Sequence, residues 1–68
     1  MNLQKGDEVL MKYWTYDIHM SREQNDIRFM YVNCIGEIVL EEGGKFIIKF
    51  AGQHTISFTD TSMLRKIV

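Results

Sequence analysis

From residue 45 to residue 50 the chain alternates without a break. Phe46, Ile48 and Phe50 fall on one side, Lys45, Ile47 and Lys49 on the other. A period of two puts one face into a core and leaves the other toward solvent, which is the signature of a half-buried strand. Glu41-Glu42-Gly43-Gly44 precedes this run, with two glycines able to supply positive φ for a turn. Ala51-Gly52-Gln53 follows as a tight loop, after which Ile56 and Phe58 alternate with Thr55, Ser57 and Thr59. Residues 34–40, 45–50 and 54–59 are therefore three short antiparallel strands. Gly36 lies inside the first of them, on the face of Ile38 and Leu40, and marks a bulge or bend where the backbone closely approaches another strand.

The 68 residues make one domain, 1–68. A chain of this size buries only roughly 60% of its unfolded surface, so its core needs staples or good packing. A single cysteine, Cys34, excludes an internal disulfide, and no Cys/His spacing makes a structural zinc site. The 46% hydrophobic content must supply stability by itself, and no cofactor is implied. Proline, which commonly blunts sheet edges, is absent. A closed barrel would need that protection least. The free cysteine favours a reducing compartment. No run approaches the length of a membrane span, and the first residues lack the apolar stretch of a signal peptide. A cytoplasmic location is expected. Small size and the lack of linker composition suit a stand-alone bacterial or bacteriophage protein.

Ahead of the strands, Lys5-Gly6-Asp7-Glu8 forms a turn and residues 9–14 a first strand, with Val9 and Met11 inward. Two β-prone arms, 16–20 and 27–32, flank the polar stretch 21–26 and read as a long, protruding hairpin. A competing reading makes residues 21–30 a helix, with Ser21 as N-cap, Gln24 completing a capping box and Ile27, Met30 and Tyr31 at helical spacing. Asn25 and Asp26, poor helix formers, weigh toward the hairpin. Near the end, Asp60, Thr61 and Ser62 offer capping oxygens for one helical turn over 62–64, and residues 65–68 form a last strand.

Three pieces of this pattern resemble an SH3-like small barrel, in the broad sense that includes KOW and Tudor domains. Gly6-Asp7-Glu8-Val9-Leu10 resembles the opening of the first strand. Gly36-Glu37-Ile38-Val39 resembles the start of the second, and residues 61–67 resemble the one-turn 3₁₀ helix leading into the closing strand. The resemblance implies an all-β, five-stranded barrel whose long first loop, residues 13–32, folds back as a hairpin. The acidic and aromatic sequence of signalling SH3 domains and the glycine-rich KOW loop are missing, so no proline-peptide or ribosomal-RNA function carries over.

Function is sought in the side chains. Tyr13, Trp14, Tyr16, Phe29 and Tyr31 flank the long loop, whereas Phe46, Phe50 and Phe58 belong to the inferred core. Tyr and Trp combine apolar area with a polar tip and are enriched at binding hot spots. This cluster is the expected contact surface for another protein, with Arg22, Glu23, Asp26 and Arg28 as a polar rim. The competing account is that some of these rings close the open end of the barrel. A nucleic acid is the alternative partner, with Lys12, Lys45, Lys49, Arg65 and Lys66 on phosphates and the aromatics stacking bases. A net charge of −1 counts against strong sequence-independent binding of that kind. Self-assembly through exposed strand edges is a third possibility, though a monomer is favoured. His19 and His54 are the general-base candidates, and Cys34 with either would make a thiol–imidazole pair. Cys34 reads more simply as a small buried hydrophobe. No phosphate loop, zinc motif or nucleophile elbow is present, so the chain is not expected to be an enzyme.

Overall fold

The structure, a computed structural model, describes residues 3–51 and 54–67. Five antiparallel strands run β1 (Glu8–Met11), β2 (Ile35–Glu42), β3 (Lys45–Lys49), β4 (Thr55–Phe58) and β5 (Leu64–Ile67), in the sheet order β4-β3-β2-β1-β5. These five were expected, with ends moved by at most three residues, whereas the arms expected at 16–20 and 27–32 are not strands. A 3₁₀ turn (Thr61–Met63) precedes β5, capped by the Asp60 carboxylate, which accepts the Ser62 N–H at 2.9 Å. The Gly52 and Gln53 part of the expected loop, and the end of the last strand at Val68, lie outside the described residues.

β2 joins the two halves of the sheet. Ile35, Gly36 and Glu37 pair with β1, and Glu37 through Glu42 pair with β3. The five-stranded antiparallel sheet is compatible with a small barrel-like fold. Among the described residues the ladder ends at β4 and β5 instead of closing. A bulge at Val39, between Ile38 and Leu40, resets the alternation. Ile38 is buried opposite Ile48, but Leu40 pairs with Ile47 and is 46% exposed. Leu40 therefore leaves the face that Gly36 and Ile38 occupy.

Apart from Leu40, the core follows the alternation. Val9, Met11, Ile38, Ile48, Phe50, Ile56, Phe58 and Leu64 are buried, joined by Leu3, with Phe46 half-buried against them. Ile38, Ile48 and Ile56 form one row across β2, β3 and β4. Gly36 is needed for close approach. A Cβ there would lie 2.6 Å from Ile48 Cγ2, 2.9 Å from Phe50 Cδ1 and 3.0 Å from the Lys49 carbonyl oxygen.

The expected hairpin is corrected. Residues Arg22–Met30 form a helix, α1. Ser21 caps it, its hydroxyl accepting the Gln24 N–H at 3.1 Å, the N-cap half of the capping-box alternative. The hairpin loses because Asn25, which argued against the helix, finds better partners as a helical residue, described below. Nor does the segment protrude. The radius of gyration is 11.1 Å, against about 10.9 Å for a compact chain of this length. After the helix, Asn33 takes a positive φ of 70°, which asparagine tolerates better than most residues. Its N–H donates to Met11 O at 2.7 Å, and Met11 N–H donates to Cys34 O at 3.1 Å. The return from the helix is thus clipped to the end of β1, which stops at Met11 rather than Trp14. Among the described residues, no helix is long and apolar enough to cross a membrane.

Candidate functional site

Residues 12–33 wrap one end of the sheet, and their organising side chain is Asn25. It is completely buried, the only buried polar side chain among the described residues. Its Oδ1 accepts from Trp14 Nε1–H at 2.9 Å and from the Asp17 N–H at 2.8 Å. Its Nδ2 donates to Asp17 O at 2.9 Å and Ser21 O at 3.0 Å. Two lone pairs and two protons are all engaged, which is the full capacity of a carboxamide. One side chain thereby ties the indole, the loop at Asp17 and the start of α1 together.

This arrangement sorts the expected contact residues into two groups. Trp14 is half-buried, its ring edge-on to Phe58 at 6.1 Å. Arg28 is half-buried too, its guanidinium 5.3 Å from the Trp14 ring centre, with Nη1 donating to Gln24 O at 3.0 Å. Burial pulls the Arg28 pKa down, and the nearby Asp17 carboxylate opposes that. Tyr31 stacks on Phe50 at 5.0 Å, lies 5.7 Å from His54 and donates its hydroxyl to Ala51 O at 3.4 Å. Trp14 and Tyr31 thus close the end of the core, one over β4 and the other over the end of β3. Tyr13, Tyr16 and Phe29 remain exposed, and the Tyr13 hydroxyl lies 3.3 Å from that of Ser62. Arg22 is exposed beside Asp26 at 3.9 Å, an ion pair worth little in open solvent. Glu23 is likewise exposed on the first turn of the helix.

Trp14 also lines a shallow cleft of about 160 Å³. Asp17 and Met20 come from the first loop, Ser57 and Phe58 from β4, Thr59 and Asp60 from the segment after it, and Met63 from the 3₁₀ turn. Four apolar side chains form its body and two carboxylates stand in its lining. Hydrogen bonds from Ser62 hold the Asp60 carboxyl below the ordinary range. Sequence reasoning placed Asp60 only as a cap and passed over Asp17. Their convergence depends on a fold-back that no local pattern records.

The basic residues do not gather into one patch. The register sets Glu42 opposite Lys45 and Glu37 opposite Lys49 on the outer face. Lys66 Nζ lies 3.5 Å from an Asp7 carboxylate oxygen. Lys12, just after β1, and Arg65, on β5, are exposed. Cys34 is half-buried, with Sγ 4.0 Å from Met30 O, and among the described residues no hydrogen bond joins it to His19 or His54. The described residues bring no group of three metal-binding side chains together.

The fold and site define a small all-β domain whose open end is covered by a helix-bearing loop. Comparison with protein-family models, with curated proteins and with solved structures gives no match.

Proposed function

We propose that this chain is a small, non-enzymatic protein-interaction module, an adaptor or inhibitor of a larger protein, built on an SH3-like frame. The strand order and the 3₁₀ turn before β5 support the frame. One observation carries the function. Residues 13–30 keep Tyr13, Tyr16, Ile18, Phe29 and Met30 exposed, Ile18 at 82% and Met30 at 70%, although the same segment packs a half-buried Trp14 against the core. Exposed large apolar side chains concentrated on one segment are costly to keep in water and mark contact surfaces. Tyr13 and Tyr16, on either side of Trp14, are the favoured anchors, with Arg22 on the rim. The free Cys34 suits a reducing compartment. The nucleic-acid reading draws no comparable support, because three of its five cations face carboxylates.

The test is capture from a lysate of the source cells on the immobilised chain, with and without nuclease. The expected result is one protein retained after nuclease treatment and lost with Tyr13→Ala/Tyr16→Ala. Both tyrosines are exposed, so that variant should fold. Retention that disappears with nuclease, or recovery of nucleic acid alone, would overturn the proposal.

A further inference from the structure

The two free edges of the sheet differ. β5 carries Arg65 and Lys66, charges of the kind that discourage another strand from pairing. β4 is Thr55-Ile56-Ser57-Phe58, with no charge and no proline. Its hydrogen-bonding phase follows from the Phe50 N–H, which donates to His54 O at 2.8 Å. Antiparallel ladders alternate bonded and non-bonded pairs. Ile56 and Phe58 therefore bond to β3, and the backbone groups of Thr55 and Ser57 point away from it. Among the described residues, no hydrogen bond engages those outward groups. Ser57 belongs both to this edge and to the cleft.

The cleft shows what such a strand would carry. At about 160 Å³ it falls below the ~300–1,000 Å³ of small-molecule pockets, and suits a single side chain. Trp14, Met20, Phe58 and Met63 offer apolar walls for a methylene stem, and Asp17 and Asp60 offer negative charge. No basic side chain lines it. Neither aspartate is in a salt bridge among the described residues, although Asp17 is attracted to Arg28. A long cationic side chain meets both demands, since Lys and Arg bury their stems while keeping the charge solvated or paired.

We infer that β4 accepts an extended segment of a partner protein, paired to the outward backbone of Thr55 and Ser57, with one Lys or Arg side chain seated in the cleft. Main-chain pairing supplies affinity and the pocket supplies specificity, the division found in strand-addition recognition. This rests on the interaction-module reading and names the chemistry of its partner.

The test is selection from a phage-displayed library of random linear peptides on the folded chain. Selected peptides should share one Lys or Arg among β-branched or aromatic neighbours. Their binding should shift the Thr55 and Ser57 amide resonances. Affinity should fall about tenfold or more, ~1.4 kcal/mol, for Asp17→Asn/Asp60→Asn. Asparagine retains the acceptor oxygen that each aspartate gives to the His19 or Ser62 N–H, so the double variant should fold. No enrichment, enrichment without a basic residue, or equal binding by the double variant would overturn the inference. So would a concentration-dependent dimer that occupies β4, since a second copy would then be the occupant. The lysate experiment separates the two proposals. A partner captured equally by wild type and the double aspartate variant, but lost with the tyrosine variant, leaves the module standing and removes the cleft.

Discussion

Within β2, β3 and β4 burial follows the strand period, with the phase reset at Val39. In residues 12–33 one buried carboxamide holds an indole, a loop amide and the carbonyls of Asp17 and Ser21 together. The first region spreads its stabilisation over many apolar contacts, each replaceable by a neighbour of similar volume. The second concentrates it in a few directional bonds that fail together when one group is removed. A small domain can thus carry a robust half and a brittle half within one core.

The sharpest way to break the comparison is Asn25→Ala. It strands the Trp14 indole N–H and the Asp17 N–H, so stability should fall by about 3 kcal/mol in urea denaturation followed by circular dichroism. Hydrogen exchange should show residues 13–33 losing protection before β2, β3 and β4. Uniform loss across both regions would show that they are not separable. Gly36→Ala challenges the strand region at its tightest point, where backbone as well as side chains crowd the added Cβ. A loss of about 2 kcal/mol is expected, with residues 12–33 following the sheet because Trp14 and Tyr31 pack on Phe58 and Phe50. Ser21→Ala removes only the helix cap and should cost about 1 kcal/mol, read as faster amide exchange in the first turn of α1. Arg22→Ala, at a fully solvated ion pair, should change stability by less than about 0.5 kcal/mol.

Acid should loosen the 3₁₀ turn through Asp60. Asp60 has its folded-state pKa depressed by Ser62, so its contribution is present above the ordinary aspartate range and is lost as pH falls through the folded value. Amide shifts at Ser62 should follow that titration, and Asp60→Asn should abolish the pH dependence.

Legibility in the sequence follows the same division. Phe46, Ile48, Phe50, Ile56 and Phe58 announce their side of the sheet through a period that depends only on neighbours two residues apart. Gly36 announces a close approach, although the bulge itself falls at Val39, where nothing in Ile38-Val39-Leu40 distinguishes it from continuous strand. Asn25 misleads because propensity describes an isolated helix, in which its carboxamide competes with the backbone. Here the carboxamide is spent on Trp14 and Asp17, partners whose proximity exists only after the loop has folded back. The aromatic cluster was legible as a feature but not as two populations. Tyr13 and Tyr16 stay outside while Trp14 and Tyr31 seal the core, and adjacent residues on an irregular loop carry no period to tell them apart. The two carboxylates of the cleft are 43 positions apart by their numbers, Asp17 and Asp60, too far for any local motif.

The chain contains one tryptophan, and it stands where the two regions meet, bonded to Asn25, edge-on to Phe58, beneath Arg28 and in the wall of the cleft. The protein therefore carries a built-in optical probe at its most informative point. Its emission should shift to the red when the loop undocks, even while the sheet persists. It should change again when a side chain enters the cleft, so opening and occupancy can be followed in one unlabelled sample.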